Sequence, residues 1–188
     1  LGAAEEEWLN ETPSATASPV VAVDRQSNVY ALDGRAGIVK YNSEGEELYR
    51  FVLPVADTAH RVQALHVDSF DCVYAGVSTG GLSITARLWK MIPNDDTGLE
   101  ILWQVEPGGW VEEIEVQGAK LFAACNFPDF NQGRLRIYEA IDSSDPIQTL
   151  DQVIPYPVNG LSLNKAGEAF TCHDTNARDA GLGGLKIR

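Results

Sequence analysis

The sequence predicts an all-β fold of the propeller type, and three observations carry the prediction. A short motif recurs four times, as Val29-Tyr30-Ala31, Val73-Tyr74-Ala75, Leu121-Phe122-Ala123 and Ala169-Phe170-Thr171, with its aromatics 44, 48 and 48 residues apart. A short apolar strand precedes each copy, at Val20–Val23, Val62–Val67, Val111–Val116 and Gly160–Leu163. Turn-forming clusters separate further strand-like runs inside each unit. A period of about 40–50 residues with several short strands per unit is what blades stacked around an axis require, because one blade cannot bury its apolar faces alone.

The elements follow in order. The first blade spans 20–53 and has an inner strand at Val20–Asp24, a polar turn Arg25-Gln26-Ser27-Asn28 and a second strand Asn28–Asp33. Its third strand is Ile38–Asn42. The turn Ser43-Glu44-Gly45-Glu46 has the glycine of a short hairpin, and Glu47–Leu53 alternates as an outer strand. The second blade, 62–105, repeats this as Val62–Asp68, Cys72–Val77, Ser83–Ile92 and Leu99–Val105, with Pro93–Gly98 as a turn. The third, 111–154, gives Val111–Gln117, Lys120–Asn126, Arg134–Ile141 and Ile147–Ile154. The fourth, 160–188, gives Gly160–Asn164, Glu168–His173 and Gly184–Arg188, and lacks an outer strand.

Glu5–Asn10, with Trp8 and Leu9, stands where an outer strand should precede the first inner strand. Two arrangements account for this count. The N-terminal strand completes the last blade and closes a four-bladed ring, which removes open sheet edges. Alternatively, the chain is part of a larger propeller cut in a hairpin loop. Either way residues 1–188 read as one propeller domain.

A net charge of −13 repels a phosphate backbone and argues against nucleic-acid binding. It suits a soluble surface, a basic partner or bound divalent cations. No apolar run approaches the ~20 residues of a membrane span. The three cysteines, Cys72, Cys125 and Cys172, are an odd number and lie in or beside second strands. They read as buried structural thiols, which fits a reducing compartment or a virion; the localisation is otherwise unspecified. No cysteine or histidine pair has zinc spacing.

Sites in such folds lie where inner strands begin. Four residues before the aligned positions Val23, Val67, Val116 and Leu163 stand Pro19, Gln63, Glu112 and Asn159, which would ring the mouth of the channel. His60 and Arg61 enter the second blade after Asp57, His66 sits in an inner strand, and Cys172-His173-Asp174 ends a strand. Adjacent strand residues point to opposite faces, so the last group is not a catalytic dyad. No Gly-x-Ser-x-Gly elbow exists, and the glycine runs at Gly80-Gly81 and Gly181–Gly184 lack the following Lys-Ser/Thr of a phosphate loop. The stretch Asn126–Gly133 carries Phe127 and Phe130 among polar residues. With Trp110, after Gly108-Gly109, it forms the expected contact patch for a protein or glycan partner.

The run Val21-Ala22-Val23-Asp24-Arg25-Gln26-Ser27-Asn28-Val29-Tyr30-Ala31 resembles the repeat of NHL and SMP-30/gluconolactonase-like propellers. So do Gly37–Asn42 with Gly45, and Val158-Asn159-Gly160-Leu161, in which Val158 replaces the group's proline. The resemblance implies a divalent cation, calcium, magnesium or manganese, held near Glu112, Asn159 and Gln63. Asn159 matches by motif, Glu112 by blade position, and the group's further aspartate has no counterpart. It also implies a metal-dependent lactone or ester hydrolase as the rival to a non-catalytic binding or structural module. A chain that opens on Leu1 and ends in an incomplete blade also fits a subunit of a large assembly, such as a virion or surface appendage.

Overall fold

The computed structural model describes residues 20–33, 37–53, 60–79, 86–127, 132–173 and 184–187. Among them are fifteen strands and no helix. The first sheet joins β1 (Val21–Val23), β2 (Val29–Asp33), β3 (Gly37–Tyr41) and β4 (Glu47–Val52). The second joins β5 (His60–Val67), β6 (Val73–Thr79), β7 (Arg87–Asn94) and β8 (Gly98–Val105). The third joins β9 (Trp110–Gln117), β10 (Lys120–Phe127), β11 (Gln132–Glu139) and β12 (Ile147–Ile154). The fourth joins β13 (Val158–Leu163), β14 (Ala169–His173) and β15 (Gly184–Ile187). Every neighbouring pair is antiparallel and in chain order. The fold is therefore a stack of propeller-type blades, as the repeat predicts. Glu5–Asn10 lies outside the described residues.

The turn from the inner strand to the second strand shows, in blades one, two and four, why the repeat has its sequence. Asp24 Oδ1 accepts from the N–H groups of Gln26 and Asn28, both at 2.9 Å. Asp68 Oδ1 does the same for Phe70 (2.7 Å) and Cys72 (3.0 Å), and Asn164 Oδ1 for Ala166 and Glu168. A short acceptor at this position satisfies N–H groups that the turn would otherwise leave unpaired. The fourth residue of the turn is left-handed in all three: Ser27 at φ 65°, Asp71 at φ 62° and Gly167 at φ 77°. Only the last has the residue that adopts this conformation without steric cost.

Three apolar clusters lie between successive blades. Tyr30, Ile38 and Leu53 of blade one meet Val62, Val73, Ala75 and Trp89 of blade two. Ala64, Tyr74, Leu88 and Trp103 of blade two meet Val111, Ile114, Leu121 and Ala123 of blade three. Phe122, Ala124 and Leu135 of blade three meet Val158, Leu161 and Ala169 of blade four. The repeated aromatic is thus the contribution of blades one, two and three to the next interface: Tyr30 and Tyr74 are 0% exposed and Phe122 4%, whereas Phe170 of blade four is 41% exposed. Full burial of such a side chain contributes roughly 1.5–3 kcal/mol.

Several boundaries differ from the sequence reading, two of them at turns. The third strand of blade two begins at Arg87 within the described residues and runs through Pro93 and Asn94, which pair with Leu99 and Gly98. The turn is therefore shorter than Pro93–Gly98. Strand β11 is Gln132–Glu139 rather than Arg134–Ile141, because Ala140 turns left-handed at φ 56° and ends it.

Candidate functional site

The inner strands share one irregularity. In blade two Val62 pairs with Val77 and Ala64 with Gly76, so Gln63 has no partner across the ladder. In blade three Val111 pairs with Cys125 and Glu113 with Ala124, which leaves out Glu112. In blade four Val158 pairs with His173 and Gly160 with Cys172, which leaves out Asn159. Gln63, Glu112 and Asn159 are therefore the extra residues of three equivalent β-bulges. A bulge bends its strand and re-aims the inserted side chain, and bulges concentrate beside functional sites. The sequence spacing selected these three residues, and the structure gives them one shared backbone role. Pro19, the fourth of the set, lies outside the described residues.

The bulge of blade two is also a packing device. A Cβ on Gly76, opposite the bulge of blade two, would sit 2.5 Å from Val111 Cβ, so only glycine admits blade three this closely. At the next interface Ala124 and Val158 occupy the corresponding places in one cluster.

The surroundings of the three side chains differ. Asn159 is exposed. Gln63 is half-buried, and its Oε1 is buried without a hydrogen-bond partner among the described residues. Glu112 is half-buried and accepts a hydrogen bond from Asn126; burial raises its carboxyl above the usual range, against the lowering by that bond. Burial likewise raises Glu113, which also feels Glu115 and Glu112, and Glu115. Asn126 is fixed in turn. Its Nδ2 donates to Val158 O at 2.8 Å and its Oδ1 accepts from Val158 N at 2.7 Å, clasping β10 to the start of β13.

A hard divalent cation takes six or more oxygens, several of them carboxylate. The bulge residues offer one carboxylate and two amides. Burial favours the neutral form of that carboxylate, and among the described residues no group of three or more His, Cys, Asp and Glu side chains could hold a metal. The donor set fits a resident cation poorly.

The aromatic patch lies at the same end of blade three. Trp110 opens β9 and Phe127 closes β10, so both sit on strands rather than in loops; Phe130 lies outside the described residues. The guanidinium carbons of Arg134 and Arg136 stand 4.9 and 5.6 Å from the centre of the Phe127 ring. Both arginines reach Asp151 Oδ2, at 2.8 and 3.2 Å. Trp110 Nε1 and Arg136 Nε are buried donors with no acceptor among the described residues. The corner is an aromatic–arginine cluster, and the arginines were invisible to the motif reading because they fall in an ordinary strand alternation.

Among the described side chains, His66 is not paired with a cysteine. His66 Nδ1 lies 3.8 Å from Glu115 Oε2, and burial lowers its pKa despite Asp68. Cys125 is buried, and burial pushes its thiol up to about 12. Cys72 is half-buried and raised for the same reason, and Cys172 is exposed. Phe70, at the opposite end of the blades, was missed by the sequence reading. It is 78% exposed and borders a cavity of about 180 Å³ with His66, Asp68, Val116 and Gly118.

No family model matches the chain, and no curated protein does. A solved structure of a protein of unknown function from Bacteroides caccae is similar at a TM-score of 0.60 and 8% identity, over 93% of this chain and 62% of that one. Kuenenia stuttgartiensis hydrazine synthase is similar at a TM-score of 0.47 and 8% identity, over 90% of this chain and 61% of that one. The chain spans less than two thirds of the length of either. The likeness at a TM-score of 0.60 concerns the fold alone.

Proposed function

We propose that the chain is a non-catalytic binding module that contacts a protein or glycan partner through the Trp110–Phe127 corner of blade three, as part of a larger assembly. The observation that carries this reading is the Phe127 ring flanked by the guanidiniums of Arg134 and Arg136, on the strand that pairs with that of Trp110. Aromatic and arginine side chains held rigid lose little entropy on binding and dominate interface energetics. A combined glycan and peptide array tests this. Ligands retained by the protein should lose at least about tenfold affinity, roughly 1.4 kcal/mol, with Trp110→Ala. Retained ligands that bind Trp110→Ala and Phe127→Ala variants equally well would move the contact surface elsewhere.

A second reading is the metal-dependent lactone or ester hydrolase implied by the resemblance to SMP-30/gluconolactonase-like propellers. The three equivalent bulges at Gln63, Glu112 and Asn159 favour it, and the shortage of carboxylates opposes it. Cation-dependent hydrolysis of simple lactones, lost in Glu112→Gln, would establish it over the first.

A further inference from the structure

The repeat makes each blade two-faced. One face carries the aromatic of the second strand, and the other receives the preceding blade's aromatic on paired aliphatics of the inner strand. Leu65 and Val67 are the receiving pair of blade two and pack in the cluster that contains Tyr30. Ile114 and Val116 receive Tyr74 in blade three, and Leu161 and Leu163 receive Phe122 in blade four. The equivalent pair of blade one is Val21 and Val23, by the shared pairing of Val23 with Val29, Val67 with Val73 and Leu163 with Ala169. Both are 57% exposed. Val39, further out on the same face, is already buried, so the opening is at the inner edge.

We infer that the Val21/Val23 face is a stacking surface for one further four-stranded blade of the same repeat, which presents a tyrosine or phenylalanine from its second strand. The occupant is a blade beyond the four described. The face continues a series of three interfaces of one chemistry, and its residues are of the type that takes an aromatic in each. Two exposed valines on an inner strand would otherwise carry their hydration cost with no return.

The test uses the polypeptide as isolated from its natural source. Its mass is measured, its full sequence is read by fragmentation, its assembly state is measured by light scattering, and amide exchange is followed in β1. The inference expects a polypeptide larger than 20.4 kDa with a further aromatic repeat at the same spacing. It also expects β1 amides protected as strongly as those of β5 in a monomer. Four results would overturn it. A 188-residue monomer with β1 protected means that the chain's own fourth blade covers the face. Protection confined to a dimer means that a second copy does. A longer polypeptide without a further repeat, or one with β1 unprotected, means that no blade occupies it.

Discussion

At the scale of the residue, Asn126 joins two blades through one polar side chain. It pairs with both backbone groups of Val158 and donates to Glu112, so it links the blade interface to the bulge beside it. Asn126→Ala would leave a buried N–H and a buried C=O unmet. At about 1–3 kcal/mol for each, the loss should be roughly 2–6 kcal/mol in denaturant unfolding. A loss under about 1 kcal/mol would mean that water replaces the amide. Glu112 contributes in the opposite sense. Burial raises its folded pKa above the unfolded value, so its stabilising protonation is complete at pH below the unfolded value and is lost as pH rises through the folded one. Glu112→Gln keeps an acceptor for Asn126 and removes the buried charge. It should raise Tm at pH 7 by a few degrees, where about 1 kcal/mol corresponds to 2–4 °C, and the gain should shrink towards pH 4.5. His66 runs the other way: its folded pKa is lowered, so its contribution is present above the unfolded value and is lost as pH falls.

At the scale of the element, blades two and three are locked by one carbonyl. Ile141 O accepts from Lys90 Nζ at 3.0 Å and from Trp103 Nε1 at 2.8 Å, and Lys90 also reaches the exposed Asp142 at 2.7 Å. Either donor alone keeps the buried carbonyl satisfied. Lys90→Met and Trp103→Phe should each cost about 0.5–1.5 kcal/mol, whereas the double variant should exceed their sum by roughly 1 kcal/mol or more. Strict additivity in the double-mutant cycle would show that the two bonds act separately. This lock was not legible in the sequence, because a lysine inside a strand reads as a solvated position. In the folded stack Lys90 stands opposite Tyr74 as Lys40 stands opposite Tyr30, each with its ammonium over the ring, at 5.5 and 4.9 Å. The inner and second strands were legible because blade stacking imposes the aromatic period on the chain. The bulges were legible only as a constant four-residue offset, since one inserted residue at the same place in each strand shifts spacing without changing composition. Phe127 read as a loop residue because Pro128 and Asp129 follow it, but pairing with Gln132 extends β10 through it.

At the scale of the whole molecule, three interfaces built on one rule make the described chain a quasi-linear stack, in which each blade depends on its neighbours for burial. The net charge of −13 keeps the exposed rim of that stack repulsive towards acidic surfaces, while the aromatic–arginine corner stays a local exception. The central claim is that this scaffold serves contact rather than metal-assisted chemistry. Its most direct test is thermal unfolding of the protein, and of Glu112→Gln, during titration with calcium, magnesium and manganese. A cation bound by the folded state raises Tm, because a ligand at about 100 times its Kd stabilises by roughly 2.7 kcal/mol. The account predicts no specific shift at millimolar cation and the same response from both proteins. A rise of several degrees in the wild type that disappears in Glu112→Gln would contradict it and would place a resident cation at the bulges.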